Sequence, residues 1–171
     1  MSFVLTLGPP PGLPLFRRCI RLHLWAQDGG LRRVRAALED DFHHFRVELQ
    51  AAGGRITGIA AHAPRHPYSL CPSAALPLQQ LVGSALSPQA HALSRAVEPS
   101  EQCTHLLDLA GLASALAARG LPRRRYDITV PLRVDGRTEA RLSRDGVPML
   151  TWQVQDLTLT GPAPYAGVDM R

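Results

Sequence analysis

Two cysteines and two histidines carry the side chains most able to do chemistry in this chain. Cys71 lies in His66-Pro67-Tyr68-Ser69-Leu70-Cys71-Pro72-Ser73, ahead of an apolar run that ends near Gly83. Cys103 and His105 lie in Glu101-Gln102-Cys103-Thr104-His105-Leu106-Leu107-Asp108, which opens a second run rich in Leu and Ala. Thiolate and imidazole suit zinc, and both also suit iron. A thiol at a helix N-terminus is also placed to ionise readily. The fourth candidate, His43, follows Glu39-Asp40-Asp41-Phe42 and precedes His44-Phe45-Arg46-Val47-Glu48-Leu49. Period-two counting sets His43 on the face of Phe45, Val47 and Leu49, with His44 on the other. His43 is therefore expected to be buried and His44 exposed.

A mixed mononuclear site built from His43, Cys71, Cys103 and His105 would hold zinc, with iron as the alternative. Four protein ligands make zinc structural, whereas three leave a position for water or substrate and define a metal-dependent enzyme. In that case Asp41, Asp108 or His43 would accept a proton beside the metal-bound water. Two other readings stay open. Cys71 could act without metal as a nucleophile or sulfur acceptor, with His105 or His43 as its base. Alternatively the Cys and His side chains fill a core, and the domain has no site and binds a partner. Cys19 is read as a buried small hydrophobe outside the site.

The elements that must position these residues follow from periodicity. From Cys19 the chain alternates, with Ile20, Leu22 and Leu24 on one face and Arg21, His23 and Trp25 on the other. Gln27-Asp28-Gly29-Gly30 is a turn, and Val34, Ala36 and Leu38 return in phase, which reads as a β-hairpin. Residues 39–49 and 55–63 form the next strand pair around Gly53-Gly54. A helix is expected from about Pro77 to Gly83, and residues 84–100 read as a connector. A further helix, capped at Ser100 or Thr104, carries Leu106, Leu109, Leu112, Ala113 and Leu116 on one face and ends at Gly120. From Tyr126 to Val154 the pattern is a β-meander, with a last short strand over 157–160. The expected fold class is α+β, an antiparallel sheet with two or three helices packed on one face, plus the C-terminal meander. The expected organisation is an extended Pro-rich arm over 1–17, a single domain over 18–165 and a tail over 166–171.

Composition narrows the function classes. Three widely spaced cysteines do not make a disulfide framework and fit a reducing cytoplasm. The formal charge is +5, and every basic residue other than histidine is Arg. The clusters Arg123-Arg124-Arg125 and Arg32-Arg33 lack interleaved aromatics, so no nucleic-acid partner is expected. The first residues lack a basic n-region and are broken by Pro9-Pro10-Pro11, so neither a signal peptide nor a membrane span is expected. The expected partners are a small-molecule substrate or another protein.

Four short motifs carry a resemblance: Asp41-Phe42-His43, Pro67-Tyr68-Ser69-Leu70-Cys71-Pro72, Leu81-Val82-Gly83 and Cys103-Thr104-His105-Leu106. In this order they resemble an uncharacterised bacterial family, a domain of unknown function, over most of residues 19–165. The order of strands, Cys-led helix and Cys/His-led helix is also similar to the U-type iron–sulfur cluster assembly scaffolds. That likeness implies that His43 replaces a first Cys ligand, that Cys71 matches the second, and that Cys103 with His105 matches a terminal pair. The pair is here spaced by Thr104, and one thiolate is missing. A mononuclear site therefore fits better than a bridged cluster.

Overall fold

The computed structural model describes residues 14–26 and 28–171; the expected arm lies outside them except for 14–17. Among the described residues the chain forms eight strands and one α-helix. In order these are β1 (Pro14–Ala26), β2 (Arg32–Asp40), β3 (His44–Ala52), β4 (Arg55–Arg65), α1 (Thr104–Arg119), β5 (Arg123–Pro131), β6 (Arg137–Arg144), β7 (Val147–Gln155) and β8 (Thr158–Gly161). Where the sequence suggests one domain over 18–165, the chain divides into two compact units. One spans Arg18–Tyr126, and the other holds Asp127–Arg171 with residues 14–17.

This architecture overturns the α+β expectation of two or three helices on one sheet face, and with it the scaffold-like topology. Antiparallel strands dominate, and helical structure between β4 and α1 is confined to short 3-10 turns at Ser73–Ala75, Pro77–Leu81, Ala90–Arg95 and Pro99–Glu101. The reason is local. Prolines at 72, 77, 88 and 99 each remove a backbone donor, so no stretch between β4 and α1 is long enough to propagate α-helical bonding. Pro77 does start a turn, but that turn closes after five residues, and Gly83 follows with φ of 90°.

In the unit spanning 18–126 the strand order is β4-β3-β2-β1, every neighbour antiparallel. Val34, Ala36 and Leu38 of β2 and Phe45, Val47 and Leu49 of β3 alternate inward and are buried. Helix α1 packs against β2 and β3. It closes the core with Leu106, Leu109, Ala110, Ala113 and Ala117, the spacing of one helical face. The 3-10 segments complete the cover with Leu78, Leu81 and Leu93. The turn between β3 and β4 is Gly53-Gly54, both at positive φ, which suits the twist of a two-residue hairpin.

In the unit holding 127–171, β6 pairs antiparallel with β7, and β7 with β8. Asp145-Gly146 joins β6 to β7, with φ values of 52° and 83°. Val154 and Leu159 are the buried apolar side chains of this unit.

Gly111 tests the packing of α1. Its Cβ position would overlap the backbone carbonyl of Ala90, which cannot swing aside as a flexible side chain would. Helix propensity alone favours Ala over Gly by about 1 kcal/mol. Overpacking costs about 1–3 kcal/mol, and more where backbone must move. We expect Gly111→Ala to destabilise the protein by about 1–2 kcal/mol net, read as a lower urea midpoint. An unchanged or raised midpoint would show that the helix and the 90–95 segment are not in contact.

Candidate functional site

The polar centre of the 18–126 unit grows from a cross-strand pair. Arg18 on β1 stands opposite Asp40 on β2. Both are in phase with the inward apolar residues of their strands, so their charges are carried toward the core rather than to the open face. The Asp40 side chain has no solvent exposure, and Arg18 Nη2 lies 2.7 Å from its Oδ2. Arg18 Nε also donates to Oδ2 at 2.9 Å. The other oxygen, Oδ1, accepts the backbone N–H groups of Phe42 and His43, each at 2.8 Å, which closes the β2–β3 turn around the carboxylate.

His43 is placed by this turn and not by strand phase, because β3 begins one residue later. Its Nδ1 lies 2.9 Å from Asp40 Oδ1, and its side chain is 14% exposed. The ring meets Phe45 at 5.2 Å between centroids and His105 at 4.3 Å. His105, in the first turn of α1, has its Nε2 3.2 Å from Arg18 Nη2. His44 points to the opposite face, is also half-buried, and accepts a hydrogen bond from Arg46 Nε.

Electrostatics fix the protons. Burial pushes the Asp40 carboxyl up, but the hydrogen bonds from Arg18, from the Phe42 backbone, and from His43 outweigh it and hold the group at about 2. Asp40 is thus an acceptor at neutral pH, so neutral His43 carries its proton on Nδ1 and its lone pair on Nε2. His105 is pushed below the usual histidine range, first by burial, then by the charges of Arg18 and His43, against a smaller pull from Asp40. Arg18 can only donate, so the Nε2 of His105 accepts and its Nδ1 bears the hydrogen. With both rings in their neutral forms, the pair offers one acceptor, His43 Nε2, and one donor, His105 Nδ1–H.

The structure brings His43 and His105 together. Cys71 and Cys103 are each half-buried against the core that α1 covers. Cys103 is the N-cap residue of α1, whereas Cys71 lies in a turn ahead of a three-residue 3-10 segment, so the expected helix N-terminus at Cys71 is absent. Asp41 is exposed, and so is Asp108, one turn beyond His105. Cys19 is not a core residue: its phase opposes Ile20 and Leu22, and it lines the open sheet face half-buried. For zinc or iron the donor set is mixed in fit. The Nε2 of His43 is available, but Arg18 engages the Nε2 of His105. Among the described residues no group of three or more His, Cys, Asp or Glu side chains is arranged to hold a metal ion. Among them also, no helix is long and apolar enough to cross a membrane.

Arg18 and Asp40 are the two site residues that sequence reasoning passed over. The signal was present: Asp40 continues the Val34, Ala36, Leu38 phase, and Arg18 precedes Ile20, Leu22 and Leu24 in phase. A charge on an apolar face calls for a partner, and each supplies the other.

The fold and site together define an antiparallel β domain closed by one helix, with a buried carboxylate that organises two histidines. The chain belongs to the family described as protein of unknown function (DUF2889), whose model matches residues 16–119. That span covers strands β1 to β4 from Phe16 onward and the whole of α1. No curated protein matches the chain.

A carboxyl held at about 2 when folded, against 3.8 in its ordinary state, gives stability that is full above pH 4 and lost as pH falls toward 2. Its size is about 2 kcal/mol. His105, held below its ordinary value, adds a loss that begins as pH drops through about 6.5, because the unfolded chain takes the proton first. We expect chemical denaturation to show stability falling from pH 7 to 5 in the native chain, with that step absent in His105→Gln. Asp40→Asn should cost about 2–4 kcal/mol at pH 7, since it strands Arg18. A pH-independent stability between 7 and 5 would contradict the buried placement of His105.

Proposed function

We propose that the 18–126 unit is a proton-transfer centre for a small polar ligand, in which His43 accepts a proton through Nε2. The observation that carries this reading is the 2.9 Å contact between His43 Nδ1 and the unexposed Asp40 carboxylate. A carboxylate on Nδ1 fixes the tautomer and ring orientation and stabilises the imidazolium formed on protonation. Asp40 is the positioning residue, and Arg18 keeps it ionised. His105, kept neutral, presents an N–H donor beside the accepting ring. The ligand that suits such a pair has a dissociable proton next to an acceptor oxygen. Water adding to a carbonyl and a hydroxyl beside a carbonyl both satisfy this, which makes ester, lactone or thioester hydrolysis the reaction class to test first.

Two measurements test it. Two-bond 1H–15N spectra should show the neutral forms of His43 and His105 as Nδ1–H tautomers; an Nε2–H His43 would sink the assignment. On a panel of esters, lactones and thioesters, His43→Gln should lower turnover by about 10²–10⁴-fold. Asp40→Asn, where it still folds, should lower kcat with KM little changed.

A second reading is favoured by the same contact. A metal-ligating histidine commonly gives its other ring N–H to a carboxylate, as His43 does to Asp40. Zinc or iron would then be held by His43 through Nε2 with Cys71 and Cys103, and His105 would join only on release from Arg18. Elemental analysis of untagged protein separates the two readings. Near-stoichiometric metal that disappears in Cys71→Ala supports the metal centre, and protein that turns over substrate without metal supports the first.

A further inference from the structure

The sheet face turned away from α1 is not used by either reading, and it is shaped. A cavity of about 780 Å³ lies on it, within the size range of small-molecule sites. Strand register gives it a defined floor. Arg21 on β1 stands opposite Ala37 on β2, Ala37 opposite Arg46 on β3, and Arg46 opposite His62 on β4. A small methyl side chain is thus flanked by two guanidinium-bearing strands, whose Cα atoms lie about 10 Å apart across two strand spacings. Arginine side chains are long enough to span such a gap from both sides.

Charge accounting singles out the same pair. The cavity is lined by three arginines and two glutamates. Arg35 and Glu48 neutralise each other at 2.9 Å, and Glu39 lies 3.5 Å from Arg65. Among the described residues Arg46 donates only to a histidine, the Nε2 of His44, and no carboxylate pairs with it. Arg21 makes no hydrogen bond or ion pair among the described residues. Two cations without carboxylates, facing across an alanine in a concave surface, match an oxyanion. Guanidinium forks bind carboxylate and phosphate oxygens in pairs, which a single exposed cation does not.

We propose that this groove binds a small oxyanion, a carboxylate or phosphate group of a small molecule, between Arg21 and Arg46 over Ala37. The groove lies on the face opposite the α1-covered core and is independent of the His43 centre.

The test is calorimetric titration of the full chain with inorganic phosphate and with citrate at constant ionic strength. Saturable binding of at least one is expected, and the two arms tell phosphate from carboxylate preference. Arg21→Gln and Arg46→Gln should each raise Kd by about tenfold or more, the worth of a charge-assisted hydrogen bond. Ala37→Leu should weaken binding by filling the floor without changing charge. Arg137→Gln, in the other unit, should leave Kd unchanged. Both groove arginines are exposed, so thermal melts should match the native chain and report that the variants fold. The proposal is overturned by absence of saturable binding of both anions, or by an Arg21→Gln/Arg46→Gln double variant that binds as the native chain does. It is equally overturned if a single-stranded oligonucleotide binds while phosphate and citrate do not.

Discussion

A carboxylate with no solvent exposure must be fully hydrogen-bonded or it unfolds its surroundings, and Asp40 meets that demand from three directions. Arg18 reaches it from the neighbouring strand, the Phe42 and His43 amides from the following turn, and the His43 ring from the same turn. The end of β2, the start of β3 and the inward face of β1 are therefore tied at one atom group. Through Arg18 the same group also reaches His105 and the first turn of α1. Whatever chemistry the histidines perform, their geometry is inherited from this one ion.

Around it the core is simple. A period-two face from β2 and β3 meets a period-3.6 face from α1, and both are almost wholly Leu, Val, Ala and Phe. One helix suffices because the 3-10 segments between β4 and α1 lay Leu78, Leu81 and Leu93 on the rest of the core. Their backbone stays close to the sheet by direct bonds: Ile56 N–H donates to Ser84, and Gly83 N–H to Ile56. The proline-rich connector thus does the covering that further helices would do in a sheet with more regular flanks.

The strands and α1 were legible because their periods are long and uninterrupted. The alternation 34–38, the Leu/Ala face of 106–116 and the Gly-Gly and Asp-Gly turns each name one local structure. The helix expected from Pro77 to Gly83 is a short 3-10 turn instead, because a good N1 residue followed by Leu and Gln favours initiation while the stop at Gly83 leaves too few residues for propagation. At the site, His105 is legible by type and face, and His43 by type alone, because its burial comes from the β2–β3 turn rather than from strand phase. Arg18 and Asp40 were not singled out, since a charge at a strand end is ordinarily solvated, and only the pairing of β1 with β2 shows that these two meet. Which groups approach across strands is a tertiary fact, and a single strand's pattern does not contain it.

The Arg18–Asp40 contact also acts during folding, as a check on alignment. Side chains alternate faces, so sliding β1 past β2 by one residue would turn Arg18 outward and leave Asp40 charged and alone in an apolar layer. A two-residue slip keeps the faces but pulls the cation beyond reach of the carboxylate. Hydrophobic strands rich in Leu and Val tolerate such shifts, because one aliphatic contact replaces another at little loss. A single buried ion pair does not tolerate them. The register of the β1–β2 hairpin is therefore specified by charge as well as by the apolar pattern, since a misaligned sheet would bury a carboxylate without its cation.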